Sequence, residues 1–217
     1  MEDSKENPEV KSSDQQSQQP DSQENTTPSD KEIIEKSVDD ILTLYKDLGG
    51  SNAYIGEKVT QLEHALQCAL QCQELKLSKE AVIAALLHDI GHLIGIKHNF
   101  EQMGEYGTMN HEGIGGKVLR KMGICEQVCD IIENHVMVKR YLAYTDEDYY
   151  NNLSDASKKT FLHQGGLPTK EEIEEYALRP NLELYVQIRK CDEKAKVENM
   201  KLPDISEYRE MMVQCFY

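Results

Sequence analysis

The chain has 217 residues, with 39 acidic against 24 basic side chains and a net charge of −15. Residues 1–30 carry a net of −6 and the remaining 187 a net of −9, so the body itself is acidic, which argues against general binding to nucleic acid or to anionic membranes. The length suits one domain with an appended segment.

No apolar run reaches the ~18–20 residues of a membrane span, and the first residues are polar rather than signal-like, which points to a cytoplasmic chain. The cysteines fall as Cys68/Cys72, Cys125/Cys129, Cys191 and Cys215. Helical i,i+4 spacing suits core-facing thiols better than disulfides, and they read as reduced. The sequons at Asn25 and Asn152 are then chance matches.

Residues 1–30 hold no aliphatic side chain besides Met1 and Val10. Such a segment cannot bury enough apolar area to offset its ordering entropy, and it reads as a disordered acidic and polar tail whose protein partner, if any, is unknown. The domain is then 31–217. The spacing predicts a first helix over 31–48, with Ser29 or Asp30 as cap, a stripe of Ile34, Val38, Ile41, Tyr45 and Leu48, and Gly49-Gly50 as its end. A second helix is predicted over 55–75. A third opens at Ser78 and ends in Leu86-Leu87-His88-Asp89-Ile90-Gly91-His92, where two histidines four apart would share one face.

Residues 95–109 read as a loop. Helices follow over 110–122 and 125–141, then an irregular acidic and tyrosine-rich stretch over 141–152. Short helices at 154–162 and 170–178 flank the turn Gln164-Gly165-Gly166-Leu167-Pro168, and further helices are predicted over 181–198 and 206–216. Strand alternation and hairpin turns do not stand out, so the fold class is all-α.

Several of these helices place a histidine or carboxylate on a stripe that otherwise reads as buried. They are His64 with Glu57, Gln61 and Cys68, then His88, Asp89 and His92, then His111 beside Gly113, Gly115 and Gly116, then His135 with Lys139, and finally Asp192 with Tyr185, Arg189 and Lys196. Buried ionisable groups need a partner. Histidine and carboxylate ligands converging from facing helices are how bundles build dinuclear metal sites. His98 and His163 lie in polar surroundings and read as structural. Arg189 and Lys139, on metal-facing stripes of two helices, are placed to converge on an anion beside the metals.

His64, His88-Asp89 and Asp192 resemble the H…HD…D signature of the HD-domain superfamily, an all-helical metal-dependent fold, over the span His64–Asp192. His111 and His135 resemble the extra ligands of its dinuclear members. Tyr54-Ile55-Gly56-Glu57, with Gln61-Leu62-Glu63-His64 behind it, is similar to the tyrosine and glutamate pair of the mixed-valent di-iron oxygenase branch, which acts on 1-hydroxy-2-aminoethylphosphonates. His92, Lys139, Ser157 and Arg189 match that branch's phosphonate-binding positions.

The resemblance implies two iron ions, one held by His64, His88, Asp89 and Asp192 and the other by Asp89, His111 and His135, with Asp89 bridging. It implies that Glu57 is a ligand displaced by substrate, with Tyr54 moving alongside. The reaction it implies is cleavage of the carbon–phosphorus bond with dioxygen, giving phosphate and glycine or an N-methylated glycine. The alternative is an HD phosphohydrolase using magnesium or manganese on a phosphomonoester or nucleotide. That reading accounts for the ligands and cations but leaves Tyr54 and Glu57 without a task.

Overall fold

The structure is a computed structural model that describes Met1, residues 28–54 and residues 56–217. The tail expected over 1–30 lies outside the described residues except for Met1 and 28–30. Among the described residues the secondary structure is helical, with three isolated β-bridges and no strand. The all-α expectation holds.

The centre of the bundle is α3 (Lys79–Leu87), whose residues Ala81 to Leu87 are all buried. A helix apolar all round has to be surrounded. It packs against α2 (Gln61–Glu74) and α6 (Glu126–Thr145), and α10 (Leu182–Lys194) closes over α2 and α6. On the other side, α4 (Ile90–His98) lies on α5 (His111–Met122), which lies on α6. The first helix, α1 (Asp30–Leu44), starts at a capping box between Ser29 and Glu32 and ends in a π-helical turn, Tyr45–Gly49. The Tyr45 hydroxyl donates to the Leu86 carbonyl at 2.8 Å, pinning that turn to the end of α3.

Four boundaries differ from the periodicity, and each bears on the site. First, α2 begins at Gln61 rather than near 55. Thr60 accepts from the Glu63 amide and Glu63 reaches back to the Thr60 amide, a capping box that starts the helix there. Tyr54 and Glu57 therefore sit on a loop with Gly56 at φ +68, and Glu57 is not on the α2 stripe.

Second, the chain breaks at Asp89 (φ −101, ψ 8) between α3 and α4, so His88 and His92 do not share a helical face. Helix α4 then runs on through His98, into residues expected to be loop, and Asn99 ends it in the left-handed conformation.

Third, α6 continues to Thr145 and α7 (Glu147–Asn152) follows directly, capped by Asp146. The stretch expected to be irregular is helical. Fourth, α10 stops at Lys194, so Lys196 lies beyond it and not on its Arg189–Asp192 face.

The short helices α8 (Asp155–His163) and α9 (Lys170–Ala177) fall where expected. The chain ends in a 3-10 turn, Ile205–Tyr208, and α11 (Arg209–Val213). All six cysteines are free thiols.

Candidate metal centre and anion pocket

His64 on α2 and His88 at the end of α3 are both buried and bring their Nε2 atoms 3.2 Å apart. The Nδ1 of His64 meets the Ala195 carbonyl at 2.8 Å, and that of His88 meets the Ala85 carbonyl at 2.8 Å. A carbonyl only accepts, so each Nδ1 carries the proton. In the neutral rings both Nε2 lone pairs then face one another, an arrangement that calls for a cation between them.

His111 at the start of α5 and His135 in α6 bring their Nε2 atoms 3.0 Å apart, with His135 Nδ1 donating to the Ile132 carbonyl at 2.7 Å and His111 Nδ1 lying 3.4 Å from Glu112 Oε2.

Asp89 stands between the pairs. Its Oδ2 is 3.3 Å from His88 Nε2 and 3.8 Å from His64 Nε2, while Oδ1 is 3.3 Å from His111 and 3.4 Å from His135. His64, His88 and Asp89 form one triad and Asp89, His111 and His135 another, the donor atoms of each lying within 4.8 Å of one another. Asp192 joins the first from α10, its Oδ1 lying 3.2 Å from His64 Nε2 and 3.7 Å from His88 Nε2. That oxygen is buried and has no hydrogen bond.

Burial alone would raise both carboxyls, yet His88 holds Asp89, and Arg189 with His88 holds Asp192, well below the usual carboxylate range. Burial would likewise lower His88, but Asp89 and Asp192 push it up to about 9. The pocket thus concentrates negative charge at a place that takes a cation, a proton on His88 or a metal ion, and Asp192 Oδ1 is buried there without a hydrogen bond. These residues fit two metal ions that share Asp89. Imidazole and carboxylate donors suit iron, manganese or zinc.

His92 differs from its neighbours. Its Nδ1 accepts from the Thr108 backbone amide at 2.9 Å. An amide N–H only donates, so in the neutral ring the proton sits on Nε2 and that atom is a donor, not a ligand. Burial and the neighbouring His111 keep this ring's pKa well below the ordinary value. The ring stacks on His111 with centroids 3.8 Å apart, as Tyr54 stacks on His64 at 3.7 Å. Each triad therefore has one imidazole held face-on by a residue of the 54–57 loop or of α4.

A cavity opens beside the triads and is lined by Tyr54, Glu57, Asp89, His92, His111, His135, Lys139, Ala156, Ser157, Thr160, Gln164 and Arg189. Lys139 is buried and donates to Thr160 Oγ1 at 2.8 Å and Gln164 Oε1 at 3.0 Å. Among the described residues no carboxylate lies within ion-pair distance of it, and burial, reinforced by Arg189, holds its pKa well below the ordinary lysine value. Arg189 donates to Asp192 and Glu193, and its Nε donates to the Tyr149 hydroxyl at 3.0 Å.

The structure therefore brings His92, Lys139, Ser157 and Arg189 to one cavity, next to His64, His88, Asp89, His111, His135 and Asp192. Glu57 lines that cavity but belongs to neither triad. Its Oε1 is buried without a hydrogen bond, 3.4 Å from Lys196 Nζ. His98 and His163 stay outside, against Phe100 and Tyr106. Sequence reasoning missed Thr108, Thr160, Tyr149 and the site role of Lys196. The first sits in a loop and the next two on short helices, where no periodicity marks a face, and Lys196 lies beyond the end of α10 although the periodicity places it within that helix.

The HD domain family matches residues 62–182. An uncharacterized protein of Acanthamoeba polyphaga mimivirus is 38% identical over 183 residues, covering 84% of this chain and 83% of its own. The hydroxymethylphosphonate dioxygenase of Gimesia maris is 36% identical over 196 residues, 85% of this chain and 97% of that protein. The [1-hydroxy-2-(trimethylamino)ethyl]phosphonate dioxygenase (glycine-betaine-forming) of Leisingera caerulea is 35% identical over 166 residues, 76% of this chain and 84% of that protein.

Proposed function

The chain belongs to the HD-domain family, and from that premise we propose that it is a di-iron dioxygenase that cleaves the carbon–phosphorus bond of a 1-hydroxyphosphonate. The observation that carries the reading is the buried Lys139 ammonium without a carboxylate partner, facing the same cavity as the Nε2–H of His92, the Ser157 hydroxyl and Arg189. A phosphonate dianion satisfies such a cluster with charge-assisted hydrogen bonds. Its position beside Asp89 would bring the hydroxyl-bearing carbon next to the ions that the triads would hold.

His64, His88, Asp89 and Asp192 would hold one iron, and Asp89, His111 and His135 the other. Bound there, the irons supply the redox chemistry with dioxygen that side chains cannot. The protein positions and neutralises. Lys139, Arg189, Ser157 and His92 hold the phosphonate oxygens, while Tyr54 and His92 keep the planes of His64 and His111 fixed by stacking. Glu57, a carboxylate on the cavity wall outside both triads, would be the ligand that substrate displaces. In the net reaction one dioxygen is consumed: its O–O bond and the C–P and one C–H bond of the hydroxyl-bearing carbon break, both oxygen atoms end in the products, that carbon leaves as a carboxylate, and hydrogen phosphate and a proton are released.

The substrate is of the 1-hydroxy-2-aminoethylphosphonate type, giving glycine or an N-methylated glycine. The relatives' names, one with a bare hydroxymethyl group and one with a trimethylamino group, make the substituent on that carbon the variable to test.

The test is aerobic and anaerobic incubation of iron-loaded protein with hydroxymethylphosphonate, 1-hydroxy-2-aminoethylphosphonate and its trimethylated form, following phosphate. Dioxygen-dependent phosphate release from at least one is expected. Release that ignores dioxygen, or turnover confined to phosphomonoesters with magnesium or manganese, overturns the proposal in favour of a phosphohydrolase.

A further inference from the structure

Lys196 lies two residues past the end of α10, yet its ammonium reaches three elements at once. It donates to Ser157 Oγ at 3.0 Å and Ser154 Oγ at 3.4 Å on and before α8, and to Glu193 Oε2 at 3.2 Å on α10. Glu57 Oε1, on the loop before α2, lies 3.4 Å away.

An ammonium has protons and no lone pair, so Ser157 Oγ must accept from it. The Ser157 proton is then left to donate elsewhere, and Ser157 lines the cavity. On the other side, the buried Glu57 Oε1 has no hydrogen bond, and Lys196 is the cation within ion-pair reach of it among the described residues. Glu193 completes the connection by also accepting from Arg189.

We propose that Lys196 is a positioning residue for the reaction, aiming the Ser157 hydroxyl proton into the cavity at the phosphonate while receiving the Glu57 carboxylate in its displaced position, apart from the ligand triads. The assignment rests on reading the cavity as a phosphonate site. One ammonium thereby sets both walls: α8 presents a donor, and the loop before α2 keeps its carboxylate out of the anion's place. An arriving dianion meets a site already arranged for negative charge, instead of having to expel Glu57 unaided.

The test compares iron-loaded wild type, Lys196→Met and Lys196→Arg in two measurements. One is steady-state turnover of hydroxymethylphosphonate or 1-hydroxy-2-aminoethylphosphonate, whichever the wild type accepts. The other is calorimetric binding of inorganic phosphate. Lys196→Met is expected to raise KM and weaken phosphate binding by about 10–100-fold, the scale of a lost hydrogen bond to a charged group. Its kcat should fall less, and its metal content should stay unchanged. Lys196→Arg should recover most of the binding.

KM and phosphate affinity within about twofold of wild type in Lys196→Met, or losses that Lys196→Arg does not recover, overturn the assignment. If Lys196→Met does not fold, unchanged phosphate affinity in Ser157→Ala overturns the donor role just as well. Wild type that binds phosphate but turns over no hydroxyphosphonate overturns the dioxygenase reading alone and leaves the Lys196 comparison readable. Wild type that binds no phosphate overturns both.

Discussion

A carbonyl opposite Nδ1 leaves an imidazole's Nε2 free to ligate a metal, and an amide N–H opposite Nδ1 makes the same Nε2 a donor. His88 and His92 stand four residues apart and fall on opposite sides of that rule, through Ala85 and Thr108 respectively. Two outcomes follow at this scale. His92→Phe keeps the stack on His111 but removes the donor, so KM should rise about 10–100-fold with metal content unchanged, as read by steady-state kinetics and elemental analysis. Asp89→Asn removes the carboxylate whose two oxygens serve both triads. Metal affinity should fall by more than the roughly 10–100-fold that loss of an outer-shell partner costs, and elemental analysis should find fewer than two metals per chain.

These residues were unequally legible. His64, His88, Asp89, His111, His135 and Asp192 stood out because polar groups interrupted apolar stripes. The tautomer of His92 could not be read, because Thr108 comes from a loop 16 positions away in the chain.

Among the elements, α4 is placed by two glycines one turn apart. A Cβ on Gly91 would run into the backbone carbonyl of His111, and one on Gly95 into the side chain of Thr108. These close approaches let α4 lie against the start of α5, which carries His111, and against the loop that sets His92. Gly91→Ala should cost about 3 kcal/mol, the upper end for overpacking, because a backbone atom has to yield. Gly95→Ala should cost about 1 kcal/mol, since a side chain can give way. Urea midpoints check both, and Gly91→Ala should also lose metal from the second triad.

Helix boundaries were the least legible part of the fold. The Thr60…Glu63 capping box was in the sequence, but the apolar and polar period ran smoothly across it, and periodicity outweighed the cap. The break at Asp89 carries neither glycine nor proline. It is imposed by the carboxylate turning toward four imidazoles, which the local sequence cannot display.

For the whole molecule, two ions held by the triads would link α2, α3, α5, α6 and α10, elements far apart in the chain, so metal would act as a ligand of the folded state. At a free concentration a hundredfold above its dissociation constant, one such ion adds about 2.7 kcal/mol. Losing one such ion should therefore lower Tm by about 5–10 °C for a domain of this size, and stripping both with a chelator by about 10–20 °C; calorimetry with and without added iron measures it. No helix among the described residues is long and apolar enough to cross a membrane.

The sequence by itself determined the all-helical class and marked the histidines, aspartates and cations that the structure brings together around one cavity. Those properties are written in periodicity and residue type, which act over a few turns of one helix. Tertiary structure alone decided that the two oxygens of Asp89 face different histidine pairs, that His92 is a donor, and that Lys196 joins Glu57 to Ser157. Each depends on a backbone or side-chain group delivered from a distant segment, and such a meeting is fixed by how helices pack, not by any local pattern of residues.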